Sequence, residues 1–145
     1  MNPHPPLVMF PPAVAVVFCA LEILQLLGVK ELLSFRLRLT LSTILCISIL
    51  FAYYSGFYGL DFATEISPES IKLHQGFGRF SALLSLPLML FTILTFVKPA
   101  KPLIIVLFWT SLVALTVTLL YTAHLGGELV FEHGAGVRGV GFKVP

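Results

Sequence analysis

Apolar residues run along this chain in long unbroken stretches. Four of them reach the roughly 20 residues that a helix needs to cross a bilayer. They cover 7–28, 39–60, 77–97 and 103–123. None shows the strict alternation of a membrane β-barrel strand. The pattern predicts an all-α fold, a membrane-spanning four-helix bundle forming one domain over 1–145.

Local signals refine these elements. Pro11 and Pro12 fall near the start of the first run, where proline is tolerated. Pro87 lies in the middle of the third and predicts a kink there. Ser67-Pro68-Glu69 reads as an N-cap, a proline in the first turn and an early acid. The third helix is therefore expected to start near Pro68, which puts His74 almost two turns inside it.

The connections carry unequal charge. The stretch 29–38 holds Lys30, Glu31, Arg36 and Arg38, and the stretch 98–102 holds Lys98 and Lys101. The longer loop 61–76 holds Asp61, Glu65, Glu69 and Lys72. The two short loops thus concentrate basic residues, and the positive-inside rule assigns them to the cytoplasm. Both termini and the middle loop then face the periplasm of a bacterial inner membrane. Arg79 counts against this orientation.

Composition agrees with the span count. The chain is 57% hydrophobic and 11% charged, against about 25% charged in ordinary soluble domains. Its mean hydropathy is +0.97. Such an apolar surplus is expected to face lipid. A net charge of +2 spread along the chain gives no nucleic-acid-binding surface. Cys19 and Cys46 lie inside apolar runs as buried thiols, and no CxxC or CxxCH motif is present. The first run does not read as a signal peptide, because no Lys or Arg precedes it. Phe18 before Cys19 argues against lipoprotein processing.

The candidate chemistry is histidine. His4 precedes the first span, His74 lies near the start of the third helix, and His124 and His133 follow the fourth span. In a four-span topology all four fall on one side. Gly78, Ser81 and Ser85 follow His74 at helical spacing and make a stripe of small residues. The stripe suits close helix packing or the approach of a flat ligand. Gly126 and Gly127 follow His124 and permit close backbone approach. Phe10, Tyr53, Tyr54, Phe57, Tyr58, Phe77, Phe80 and Tyr121 gather at the same end. They read either as an interfacial aromatic belt or as the wall of a pocket.

Two axial imidazoles from facing helices and an apolar slot are what haem b requires. His74 and His124 are the expected axial pair, with His4 and His133 as further candidates. A divalent metal is the alternative. His124, Glu128 and Glu132 are spaced to share one face if the fourth helix continues outward. Glu22 is the one acid within a span, a costly placement that marks it as a candidate proton relay. The alternatives are snorkelling toward the interface and a bond to a hydroxyl such as Ser42, Thr43 or Thr116. No nucleophile elbow, P-loop or HExxH motif supports a stand-alone enzyme.

Two of these segments resemble a known family. The run from His124 to Val137, HLGGELVFEHGAGV, is similar to the C-terminal signature of the bacterial domain-of-unknown-function 2231 family, and His4 to Pro11 to its opening motif. His74 with its following small residues matches the middle histidine. The resemblance covers nearly the whole chain. It implies a four-helix membrane domain often associated with cytochrome c modules. A c-type cytochrome or another redox subunit is then the expected partner. The opening motif usually has a second histidine where this chain has Met9, whose thioether is itself a possible haem ligand. The leading expectation is a small haem b electron-transfer subunit or anchor with its haem near the periplasmic face. The alternatives are a non-haem metal-binding or transport protein, and a cofactor-free structural subunit.

Overall fold

A computed structural model describes residues 4–29, 33–59, 67–97 and 101–131, with the side chains of 4–6 and 58–59 left out. It holds four helices: α1 (His4–Leu26), α2 (Phe35–Gly59), α3 (Pro68–Val97) and α4 (Pro102–Phe131). All four are long and apolar enough to cross a membrane. Only helices satisfy every backbone polar group within one segment, which is what a lipid-facing chain must do.

Each helix packs against its neighbour in sequence, and α4 closes the ring against α1. The α3–α4 seam is the most extensive and the α1–α4 seam the least. The helices run up and down in turn. His4, Gly59, Pro68 and Phe131 therefore end together, at the histidine end. Leu26, Phe35, Val97 and Pro102 meet at the opposite, basic end.

The helix boundaries have local causes. α1 closes with Gly28 at φ 96°. Its neighbour Val29 donates its N–H to the carbonyl of Leu24 at 3.1 Å, which satisfies an end carbonyl that the helix cannot. Ser34 caps α2, its hydroxyl accepting from the N–H of Leu37 at 3.2 Å. α2 thus starts four residues before the apolar run, and Arg36 and Arg38 stand on its first turn instead of in a loop. Ser67 caps α3 as its sequence predicts, accepting from the N–H of Glu69 at 3.3 Å. Pro102 opens α4, where a missing N–H costs nothing.

Two expectations, the place of Pro11 and Pro12 and the length of α4, need correction. α1 begins at His4, so Pro11 and Pro12 lie inside it and not at its start. Pro5 and Pro6 occupy the first turn instead. α3 continues unbroken past Pro87. α4 runs on through Gly126 and Gly127 to Phe131, eight residues past the predicted end of its span. At about 1.5 Å per residue that is roughly two further turns, enough to leave the hydrocarbon layer.

The core is a short column of Ala15, Phe18, Leu45, Leu88, Phe108, Leu112 and Leu115 with neighbouring aliphatics. Phe18 and Phe108 meet edge to face with centroids 6.1 Å apart. Apolar side chains such as Val17, Phe51, Leu86 and Val117 point outward on all four helices, as a lipid solvent permits. Small polar groups tie the interior. Ser42 and Thr92 hydroxyls lie 2.9 Å apart between α2 and α3. Cys46 meets Ser85 at 3.4 Å, and Cys19 meets Thr116 at 3.2 Å. Both thiols are free.

Candidate functional sites at the two ends of the bundle

His74 is the fixed histidine. Its Nδ1 lies 3.1 Å from the carbonyl oxygen of Thr122 on α4. A carbonyl only accepts, so Nδ1 carries the proton. In the neutral ring the lone pair then sits on Nε2. Gly126, one turn beyond Thr122, makes room for the ring. A Cβ on Gly126 would stand 3.1 Å from Cε1 of His74, tighter than such contacts normally are. The close approach of α3 to α4 here depends on that missing side chain.

His124 occupies another face of α4. Two residues turn a helix by roughly 200°, so the ring points away from the Thr122–Gly126 surface that receives His74. Its side chain is 65% exposed. Nε2 of His124 lies 3.2 Å from Oε1 of Glu128, one turn on, and its ring stands 6.3 Å from that of Tyr121. The continuous helix supplies the premise for the His124–Glu128 face. Thus the structure brings His124 to Glu128 and His74 to the backbone of α4, but does not bring the two histidines to one slot. Haem held between those two rings in one chain does not fit this arrangement.

The other residues of the histidine end are placed as follows. His4 opens α1 at the same end, and its side chain is not described. Met9 is 75% exposed on the outer face of α1. Gly78 faces α2, where a Cβ would touch the ring of Tyr53 at 3.9 Å. Ser81 and Ser85 are buried and bond to the carbonyls of Phe77 and Ala82. The small-residue stripe therefore serves helix packing. Gly127 meets only the ring of Phe131 on its own helix, at 4.0 Å. Phe10, Tyr54, Phe57, Phe80 and Tyr121 point outward in the manner of an aromatic belt. His133 and Glu132 lie outside the described residues. Among the described residues no group of three or more His, Cys, Asp or Glu is placed to hold a metal ion.

The basic end contains an ion pair. Glu22 on α1 is 2% exposed. Arg38 of α2 donates from Nε to Oε1 at 2.6 Å and from Nη2 to Oε2 at 3.0 Å. The hydroxyls expected to reach Glu22 are engaged elsewhere. Ser42 bonds to Thr92, while Thr43 and Thr116 donate to the carbonyls of Leu39 and Leu112. Arg38 was hidden from sequence reasoning by its apparent place in a loop. The cap at Ser34 was the signal that would have moved it onto the helix. A proton relay through Glu22 would require this pair to open, since both oxygens are held.

Beside the pair lies a cavity of about 380 Å³. Glu22, Gln25 and Arg38 form its polar side, Lys101 and Thr95 lie on its rim, and Ile105, Phe108 and Trp109 of α4 are among its apolar walls. At the histidine end a hollow of about 60 Å³ lies between Ser70 and Leu73 of α3 and Leu125, Glu128 and Leu129 of α4.

The family described as predicted membrane protein DUF2231 matches residues 2–139, and the chain belongs to it. No curated protein and no solved structure matches the chain.

Proposed function

We propose that this DUF2231 member is a multi-pass subunit of the bacterial inner membrane that holds a redox metal centre at its histidine end, with His74 as the fixed ligand. One observation carries the reading. His74 donates Nδ1–H to the Thr122 carbonyl and is seated against Gly126. Donation of one ring nitrogen to a carbonyl is how proteins commonly set the tautomer and orientation of a ligand imidazole. The concentration of Arg36, Arg38 and Lys101 at the opposite end supports a cytoplasmic assignment of that end under the positive-inside rule. The histidine end is then periplasmic, within reach of a partner such as a c-type cytochrome.

Haem b, when bound, would supply one-electron transfer at a potential set by its ligands and burial. His74 would provide one nitrogen ligand. His4 and His133 are the further candidates by sequence, because His124 faces outward. Thr122 and Gly126 would fix the ring against rotation.

A second reading has its own observation. His124 and Glu128 lie 3.2 Å apart on the outer face of α4, and Glu132 follows four residues later in the sequence. Imidazole and carboxylate donors at this spacing suit zinc or manganese.

The full chain, expressed with added haem precursor and purified in detergent, tests both readings by reduced-minus-oxidised spectra and elemental analysis. The first expects a Soret band that His74→Ala abolishes and His124→Ala retains. The second expects a colourless protein with stoichiometric metal lost in His124→Ala. Neither chromophore nor metal, together with co-purifying membrane proteins, would leave a structural subunit.

A further inference from the structure

We infer that the cavity at the basic end binds the phosphate headgroup of an anionic membrane phospholipid, with Lys101 and Arg38 as its cationic contacts. The placement of charge argues for this ligand. Glu22 neutralises Arg38 but engages only Nε and Nη2. A guanidinium has five N–H donors, so three are left over. Lys101 is exposed at the mouth and has no acidic partner among the described residues. Glu22, Arg38 and Lys101 sum to one positive charge on the cavity wall.

The remaining lining fits the rest of a lipid. Ile105, Phe108 and Trp109 share one face of α4, and Lys101 stands immediately before the helix, its carbonyl accepting from the N–H of Ile104. A basic group thus stands at the helix start, with apolar surface running from it toward the membrane interior. The cavity is lined from all four helices, mostly from α1 and α4, whose seam is the least extensive of the four. A volume near 380 Å³ lies within the roughly 300–1,000 Å³ range of small-ligand sites. Basic pockets between transmembrane helices are a recurrent way to hold anionic headgroups. Gln25 is fixed beside the pair by accepting from the N–H of Leu33 at 3.0 Å, so the polar wall is preformed.

Trp109 is the chain's single tryptophan and lines the cavity, so its fluorescence reports from this part of the bundle. The full chain is reconstituted in phosphatidylcholine bilayers carrying a fixed minor share of brominated phosphatidylglycerol or, in parallel, of brominated phosphatidylcholine. The inference expects the anionic lipid to be preferred about fivefold at Trp109, from about 1 kcal/mol per basic residue near the surface. Lys101→Gln should bring the two lipids close to parity. Arg36→Gln removes an equal charge from the same end at an exposed position outside the cavity, and should leave the preference in place. Equal quenching by both lipids in the parent protein overturns the inference. So does an Arg36→Gln effect as large as that of Lys101→Gln, which would make the preference one of general surface charge. Loss of the preference on adding millimolar inorganic phosphate would assign the cavity to free phosphate and overturn its assignment to lipid.

Discussion

Arg38 holds both carboxylate oxygens of Glu22, with Nε at 2.6 Å and Nη2 at 3.0 Å, across the gap between α1 and α2. Glu22 is almost wholly buried. Removing one member of such a pair leaves an uncompensated charge, at a cost of about 3–5 kcal/mol. Glu22→Leu and Arg38→Leu are each expected to lower the thermal midpoint in detergent sharply. The double Leu variant should recover much of the loss, because it leaves no orphaned charge. A double variant as unstable as the sum of its parents would show that the two residues do not act together.

Gly126 makes a second, sharper test of packing. A methyl group there meets Cε1 of His74 at 3.1 Å, so either the ring or α4 must give way. Gly126→Ala is expected to lose the His74–Thr122 hydrogen bond and cost about 1–3 kcal/mol. Nitrogen-15 spectra of the histidine rings would read this directly. The parent protein should show one imidazole protonated at Nδ1, and the variant should not. Gly127→Ala serves as the control, since nothing nearer than the ring of Phe131 at 4.0 Å opposes it.

The Ser42–Thr92 contact joins two buried hydroxyls at 2.9 Å. Thr92 also donates to the carbonyl of Leu88 at 2.8 Å, so it has an alternative partner on its own helix. The coupling between them is therefore expected to be small, about 0.6 kcal/mol in a double-mutant cycle of Ser42→Ala with Thr92→Val. A coupling several times larger would make this pair a main tie between α2 and α3.

His124 and Glu128 pair on an exposed helix face. Exposed one-turn pairs contribute little, about 0.3–0.5 kcal/mol. Glu128→Gln should leave thermal stability nearly unchanged in metal-free buffer. If zinc or manganese raises the midpoint of the parent protein, the same substitution should remove most of that rise. Metal-induced stabilisation that survives Glu128→Gln would place any metal elsewhere.

Much of this architecture was already legible in the linear chain. Apolar runs near 20 residues leave the backbone no option but helices, and an even number of them brings His4 and His124 to one end. The Ser67 cap and the start of α3 followed from local chemistry within three residues. These features are readable because each depends on composition or on near neighbours in the chain. The family signature around His124 was legible for the same reason.

Tertiary structure decided which faces meet. The sequence places His74 and His124 at one end, but only the rotation of α4 shows that Thr122 and Gly126 receive His74 while His124 turns outward. It marks Glu22 as costly, but only the packing of α1 on α2 supplies Arg38. It gives a stripe of Gly78, Ser81 and Ser85 without saying that α2 fills it. A chain of nearly uniform hydrophobicity carries little directional signal, because lipid solvates every helix face alike. Which face turns inward is then set by side-chain fit and by polar groups finding partners on other helices, and both belong to the assembled bundle.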